Sequence, residues 1–367
     1  MPIRKTMKTT CLHSHHIALN ALMSPFAGYD MPISYEGIEA EHNAVRNNVG
    51  VFDVSHMGEV HLAGDNATET VNHIFCGDVR TLNPGQVVYG MLTNQNGGVV
   101  DDLLVYKFSD TSYLLVINAA NIEKDLAWIR ENVLHGTQVT DLCENTAELA
   151  IQGPKAEETM LNVLGVDCSD LAFYTFKVVD LPNGARALVS RTGYTGEDGF
   201  EFYAAENTII DAWEKLMAAG VAPCGLGCRD TLRFEAGLPL YGNELTDDIT
   251  PIMAGLSMFA KLDKEEFIGR DALIAQKAQG PAKRVIGLEI DGKAIARHGY
   301  DVLDLDGNKV GTITTGYHSI SLDRNLAMAL VDAAHAKLDT PLQVQVRRKV
   351  FPAKVIKKRF YTPNYKK

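Results

Sequence analysis

The residues best suited to chemistry are two adjacent aspartates, Asp101 and Asp102, in the otherwise apolar segment VVDDLLVY. Just before them, Asn96-Gly97 favours the positive φ angles of a tight hairpin turn between two strands. Side chains alternate between the faces of a strand, so the two aspartates cannot share an environment. One would face solvent or a turn partner, and the other a core or cavity, where a carboxylate is costly unless paired or used. The spacing equally allows both to cap turn amides at a frayed strand start.

Other polar residues follow on the same predicted hairpin. Residues 102, 104 and 106 share one strand face, so Asp102 and Tyr106 lie on the same side of the strand. The next strand ends at Asn118, and Asn121 begins the helix after it. A polar side chain between a strand end and a helix N-terminus is a common ligand position. An N-cap role alone would explain Asn121 equally well.

Metal, dinucleotide and disulfide chemistry are not favoured elsewhere in the chain. His13, His15 and His16 are close together, but no second ligand cluster accompanies them as in a structural zinc site. The segment GLGCRD (225–230) lacks both a full preceding strand and the third glycine of a dinucleotide-binding loop. The six cysteines are scattered and form no C-x-x-C pair, which is typical of reduced thiols in a cytosol.

The order of predicted elements divides the chain into three units. Residues 1–135 alternate strands and helices as an α+β unit, and residues 136–280 repeat that style with a second Asn-Gly hairpin at Asn183-Gly184. From residue 281, short strands recur at regular spacing with turn signals, including Asp306-Gly307, which predicts a small antiparallel barrel or sandwich. Gly280-Pro281 is the expected boundary of this last unit.

Composition narrows the class of partner. The chain has 367 residues, 46% of them hydrophobic and 22% charged, as in soluble globular proteins. A formal charge of −11 argues against nucleic acid or an anionic membrane as the main partner. No apolar run approaches the roughly 18 residues of a membrane span. The N-terminus has no secretory signal, so a cytoplasmic location is expected.

Eight motifs carry a resemblance to a known family. In chain order they are FAGYDMPISYEGI, VGVFDVSHMGEV, NGGVVDDLLVYK, NAANIEKD, IQGPKAEET, VSRTGYTGEDGFEF, GLGCRDTLRFEAGLPLYGNEL and FIGRDAL. With them the chain resembles the glycine cleavage T-protein family of aminomethyltransferases, over about residues 10–361. The resemblance implies the folate-binding aminomethyltransferase fold: two ferredoxin-like α+β units and a C-terminal antiparallel β-barrel, set like a clover leaf around a central cavity.

The resemblance also implies an activity and partners. The family transfers the methylene carbon of the aminomethyl group on the dihydrolipoyl arm of H-protein to tetrahydrofolate. Ammonia and 5,10-methylenetetrahydrofolate are formed. Tetrahydrofolate is then the co-substrate, H-protein is the protein partner, and no metal, flavin or NAD is required. Nucleic acid and membranes are not expected partners.

Site residues follow from the resemblance position by position. Asp102 matches the essential aspartate, expected to stabilise positive charge on the methylene or to accept a proton from N5 of folate. Glu201 matches the glutamate that accepts two N–H bonds from the pterin edge. Further folate-binding positions fall on Tyr89, Tyr106, Asn118, Tyr194 and Arg229. For Arg229 the alternative is a structural pair with a neighbouring carboxylate.

Some positions depart from the family pattern, and rival functions remain open. Met253 and Met258 stand where the family commonly has Glu and Trp, and Cys228 replaces a usual Ala. One rival is another folate-dependent demethylase or one-carbon transferase on the same scaffold. The other is a non-enzymatic folate-binding accessory protein linked to iron–sulfur assembly. That group carries a signature cysteine, whereas the corresponding segment here, RTGYTGED, has none.

Overall fold

The computed structural model describes residues 7–366. Up to residue 141 the elements are α1 (His13–Ala18), β1 (Leu22–Phe26), β2 (Tyr29–Ser34), α2 (Ile38–Asn47), β3 (Gly50–Asp53), β4 (Gly58–Ala63), α3 (Ala67–Ile74), β5 (Val87–Thr93), β6 (Val99–Ser109), β7 (Ser112–Ile117), α4 (Ile122–Asn132) and β8 (Gln138–Asp141). Then follow β9 (Ala147–Gln152), α5 (Ala156–Leu164), β10 (Phe176–Asp180), β11 (Arg186–Ser190), β12 (Gly199–Ala204), α6 (Glu206–Ala218), β13 (Ala222–Pro223), α7 (Leu226–Ala236) and α8 (Arg270–Gln279). The last elements are β14 (Lys283–Ile290), β15 (Asp301–Leu303), β16 (Lys309–Ser319), β17 (Arg324–Asp332), β18 (Pro341–Val346) and β19 (Lys349–Ile356).

The first sheet has five strands in the order β5-β6-β7-β4-β8, each antiparallel to its neighbours. Apolar residues of β4, β6 and β7 on one face pack under α3 and α4, with Val60, Leu115 and Ile129 fully buried. The other face contacts the second sheet through a smaller cluster that includes Tyr106 and Tyr203. The two faces of β6 therefore lie in different surroundings.

The predicted turn at Asn96-Gly97 is confirmed between β5 and β6. Gly97 has φ +80°, which favours glycine, and the Asn94 side chain accepts hydrogen bonds from the backbone N–H groups of Asn96 (2.9 Å) and Gly98 (3.1 Å). A Cβ on Gly98 would lie 1.7 Å from the Asp247 carbonyl oxygen, so only glycine fits there. The turn is capped by Asn94 rather than by either aspartate.

The second sheet has six strands in the order β10-β11-β12-β9-β3-β13, with β3 and β13 parallel and the rest antiparallel. Helices α5 and α6 cover one face, where Phe200 and Trp213 are buried. The predicted turn at Asn183-Gly184 joins β10 to β11, with Gly184 at φ +81°. The opposite face, carrying Glu148 and Glu201, is turned toward the first sheet.

Two strands cross between the halves of the chain. β3 lies early in the sequence but pairs with β9 and β13 of the second sheet. β8 follows residue 135 but pairs with β4 of the first sheet. Both strands therefore pair across the boundary expected near residue 135, and the division into units at 135 and 280 stays a prediction.

The C-terminal strands form a closed antiparallel barrel, β14-β17-β16-β15-β18-β19, in which β19 returns to pair with β14. Leu288, Ile313 and Val344 fill its interior. Within residues 7–366, no helix has the length and apolar character needed to cross a membrane.

Helix α7 connects the second sheet to the barrel. Arg233 on this helix is fully buried and donates to Asp230 Oδ1 (2.6 Å), to Glu244 Oε2 (2.9 Å) and to Thr315 Oγ1 on β16 (3.2 Å). Arg229 lies one turn earlier on the same helix, so this buried pairing also positions the helix turn that carries Arg229.

Candidate functional site

A central cavity of about 280 Å³ lies where the two sheets, α7 and the C-terminal tail meet. Residues from all of these parts line it. The polar ones are Tyr89, Asp102, Asn118, Glu148, Tyr174, Thr192, Tyr194, Glu201, Arg229, Tyr241, Lys358 and Arg359. A mostly apolar pocket with a few convergent polar groups is the usual form of a small-molecule site.

Asp102 projects into this cavity from the middle of β6. The hydroxyl of Tyr89, on the adjacent strand β5, donates to Asp102 Oδ2 (2.9 Å), and Asn118 Nδ2 donates to Oδ1 (3.0 Å). Burial and the neighbouring Asp101 raise the pKa of Asp102 to about 7, although the Tyr89 and Asn118 bonds oppose the shift. This carboxyl group therefore titrates near neutrality while held in one orientation.

Asp101 occupies the other face of β6 and is fully buried. It accepts hydrogen bonds from Asn118 N (3.0 Å), Asn118 Nδ2 (2.9 Å) and Asn121 Nδ2 (2.7 Å). Asp101 therefore does not face solvent, and its partners lie in the turn at residues 118–121 that follows β7. The alternative that both aspartates cap turn amides at a frayed strand start is wrong, because both lie inside a strand of eleven residues. Asn121 stands at the N-cap position of α4, as predicted, but its side chain bonds Asp101 and no helix amide, so capping alone does not explain it.

Glu201 lies in a second polar group of the cavity, on β12. Its Oε2 accepts from Thr192 Oγ1 (2.5 Å) and from the Tyr203 hydroxyl (3.3 Å). Burial raises the pKa of Glu201, while the Thr192 bond and the charge of Arg229 oppose the increase. Because both hydroxyl groups donate to Oε2, Oε1 of Glu201 stays available to a ligand.

Tyr106 is the expected site residue that does not line the cavity. It shares a face of β6 with Asp102, but four residues along a strand span about 13 Å. Its ring is fully buried, and its hydroxyl lies 3.0 Å from the Tyr203 hydroxyl and 3.1 Å from Ser190 Oγ. Tyr106 thus supports Tyr203 and, through it, Glu201, rather than lying beside Asp102.

Arg229 and Tyr194 lie together on the cavity wall. The Arg229 guanidinium carbon is 4.5 Å from the centre of the Tyr194 ring, a cation–π arrangement. Within the described part of the chain, Arg229 has no carboxylate at salt-bridge distance, so its charge faces the cavity. Burial and this positive charge lower the pKa of the nearby His56 to about 4, which keeps His56 neutral.

Sequence reasoning missed several residues that line the cavity. Lys358 and Arg359 reach it from the tail after the barrel, and Glu148 from β9. Glu148 is 2% exposed and its Oε2 has no hydrogen-bond partner among the described residues. Burial and the neighbouring Glu201 raise the Glu148 pKa well above its usual range. The basic run KKR at 357–359 is visible in the sequence as a possible anion-binding segment. Because it lies far from Asp102 along the chain, the sequence does not show that the two share a cavity.

The departures from the family pattern fall in different places. Met258 lines the cavity with 72% of its surface exposed, whereas Met253 packs into the core cluster under the barrel.

The three N-terminal histidines contact different carboxylates, namely Asp30 for His13, Glu214 for His15 and Asp53 for His16. They are therefore not arranged around one point.

Comparison with known proteins gives matches along nearly the whole chain. Residues 12–264 match the GCVT N-terminal domain, and residues 283–362 match the glycine cleavage T-protein C-terminal barrel domain. The aminomethyltransferase of Caldanaerobacter subterraneus subsp. tengcongensis is 48% identical over 98% of this chain and 98% of its own length. The aminomethyltransferase of Thermoanaerobacter pseudethanolicus is 46% identical over 98% of this chain and 99% of its own.

A solved structure matches the same extent of chain. The crystal structure of glycine cleavage system aminomethyltransferase T from Bartonella henselae superimposes with a TM-score of 0.93 at 32% identity. The match covers 98% of this chain and 100% of the other.

Proposed function

The chain belongs to the glycine cleavage T-protein family, and we propose that its central cavity is where the family's reaction takes place. It is an aminomethyltransferase with the folate-binding aminomethyltransferase fold predicted from its motifs. The reaction moves the methylene carbon of an aminomethyl group to tetrahydrofolate. We infer that the donor is the dihydrolipoyl arm of an H-protein, which must reach the cavity from solvent.

Support comes mainly from one observation: Asp102 and Glu201 face the same cavity, each held by neutral hydrogen-bond donors. In this proposal Glu201 accepts two N–H bonds from the pterin edge, and N5 of the pterin lies near Asp102. Arg229, which has no carboxylate partner among the described residues, also faces the pterin. Lys358 and Arg359 supply positive charge for the anionic glutamyl tail in a protein of formal charge −11.

The chemistry assigned to Asp102 is electrostatic. Exchange of sulfur and nitrogen at the methylene passes through a cationic, iminium-like carbon, which N5 attacks. An ionised carboxylate fixed by Tyr89 and Asn118 stabilises that charge without having to reorient. Overall, N5–H and N10–H of folate give up two protons, one of which ends on the lipoyl sulfur and the other on the ammonia released. The protein's other contribution to the rate is to position tetrahydrofolate and the lipoyl arm next to each other.

A direct assay tests this function. Purified protein is mixed with aminomethylated H-protein and tetrahydrofolate, and ammonia is measured over time. Ammonia above the protein-free rate is expected. If the protein binds folate but releases none, the transferase assignment fails and the non-enzymatic folate-binding group becomes the better description.

Glu201→Gln is expected to weaken tetrahydrofolate binding by roughly 10- to 100-fold, the loss typical of one charge-assisted pair. The amide keeps the shape but can accept at only one atom. Isothermal calorimetry measures the affinity. Glu158→Gln, on the exposed surface of α5, is the matched control and should bind like the parent protein. Equal affinities in the two variants would remove Glu201 from the pterin contact.

The raised pKa of Asp102 gives the activity a defined pH dependence. If the ionised form is active, kcat/KM should fall about tenfold per pH unit below pH 7, because the pKa of Asp102 is about 7. The folded protein holds this proton more tightly than the unfolded chain, so Asp102 also lowers stability as the pH rises from about 4 to about 7. A rate profile that stays flat from pH 5 to 8 would contradict the assignment.

A further inference from the structure

Asp125, on α4, is a buried carboxyl group that the proposed reaction does not use. It is fully buried, and neither of its oxygens has an N–H or O–H partner within residues 7–366. The nearest cation, Lys124 Nζ, lies 3.7 Å from Oδ1, and it donates instead to the Val100 carbonyl and to the Tyr241 hydroxyl (2.9 Å). An ionised Asp125 would therefore be poorly stabilised in this place.

The neighbour of Asp125 is Asp101, on the core side of β6, and the two fully buried carboxyl groups lie within hydrogen-bonding reach of each other. Two carboxyl groups in contact away from water cannot both be ionised, because like charges repel strongly where little solvent screens them. Asp101 already accepts three N–H bonds from Asn118 and Asn121, whereas neither oxygen of Asp125 accepts any within residues 7–366. Burial and the contact with Asp101 raise the pKa of Asp125 to about 10. The proton of the pair therefore resides on Asp125.

We propose that Asp125 is a positioning residue, whose protonated carboxyl group donates a hydrogen bond to Asp101 and thereby orients Asn118 against Asp102. The connection runs through one amide group. Asn118 Nδ2 lies 2.9 Å from Asp101 Oδ1, 3.0 Å from Asp102 Oδ1 and 3.0 Å from the Asp102 carbonyl oxygen. A hydrogen bond from Asp125 that holds Asp101 therefore also holds the Asn118 amide, and this amide donates to Asp102.

The neutral state of Asp125 matters for the charge of the site. Asp101 already raises the pKa of Asp102 to about 7 together with burial. A third negative charge on Asp125 would oppose ionisation of Asp102 further. A protonated Asp125 supplies a donor to Asp101 without adding that charge. This inference rests on the proposed function, because it assigns Asp125 to the same reaction.

Two variants, Asp125→Asn and Asp125→Leu, test whether the reaction needs a hydrogen-bond donor at position 125. Asparagine offers an N–H donor in place of the acid O–H, so we expect kcat within about threefold of the parent and an unchanged acid limb near pH 7. Leucine removes the donor, so we expect kcat to fall about tenfold or more while tetrahydrofolate affinity stays within about twofold. Glu123→Gln, exposed on the same helix, is the control.

Three results would overturn the role of Asp125. A loss of kcat in Asp125→Asn as large as in Asp125→Leu, or failure of Asp125→Asn to fold, would show that an N–H cannot replace the acid. A shift of the acid limb to lower pH in Asp125→Asn would show that Asp125 is ionised in the parent, because removing a negative charge would lower the pKa of Asp102.

Infrared spectroscopy gives a readout that does not depend on activity. The parent protein at pH 7 should show a protonated-carboxyl C=O band that is missing from the spectrum of Asp125→Asn. Identical spectra in that region would overturn the proposal even if both proteins are active. If instead the parent releases no ammonia but the band is present and lost in the variant, the reaction assignment fails while the proton on Asp125 stands.

Discussion

Asp102→Asn is expected to lower kcat by about 100- to 1000-fold, the range seen when one preorganised electrostatic group is removed from a site. Asparagine can still bond Tyr89 and Asn118, so the geometry should survive while the negative charge is lost. Tetrahydrofolate affinity should change by less than about threefold, because the charge is needed for the transition state rather than for binding. Ammonia release under saturating folate and H-protein measures the effect.

The controls for this variant address fold and general charge loss. Asp180→Asn removes a carboxylate from an exposed strand end, with 86% of that side chain accessible, and should keep the parent rate. Because burial disfavours the ionised form of Asp102, Asp102→Asn should be at least as stable as the parent at pH 8. Turnover of a stable Asp102→Asn protein within tenfold of the parent would show that the charge is not required.

Arg233→Met is expected to lower the free energy of unfolding by about 3–5 kcal/mol, the usual result of removing one partner from a buried ion pair. The guanidinium contacts Asp230, Glu244 and Thr315, and Glu244 is only 1% exposed. Methionine fills similar space but leaves the Glu244 carboxylate without its cation. Urea unfolding followed by tryptophan fluorescence measures the change.

The matched control is Arg186→Met, at a position where the side chain is 73% exposed and its nearest carboxylate, on Asp180, is 3.5 Å away. Exposed pairs of this kind contribute little, so its unfolding free energy should stay within about 0.5 kcal/mol of the parent value. If Arg233→Met proved no less stable than Arg186→Met, the buried pairing would not hold α7 to the barrel.

Local patterns in the sequence predict a large part of the site. The alternation of a strand separates Asp101 from Asp102, and the Asn-Gly turn places both on a hairpin, as the structure confirms. The same alternation puts Tyr106 on the correct face but says nothing of what covers that face further along. The role of Glu201 came from the resemblance alone and stays a prediction.

Contacts between distant segments are what the sequence could not predict. Asp101 is buried because α4 covers its side of β6, and Asp125 meets it only through that packing. Lys358 and Arg359 join the cavity only when the barrel closes and its tail returns to α7. Periodicity reports which face a residue occupies within its own element, whereas these relations depend on how elements pack.

The crossing of β3 into the second sheet has a consequence for synthesis on the ribosome. Gly50–Asp53 emerges first, but its antiparallel partner Ala147–Gln152 follows about 94 residues later, a delay of roughly 5–20 s at typical elongation rates. During that interval the apolar strand has no native edge to join, and an unpaired strand is prone to wrong association. We therefore expect the yield of folded protein to depend on translation speed across residues 54–147, which expression from genes with fast and slow synonymous codons in that stretch would measure.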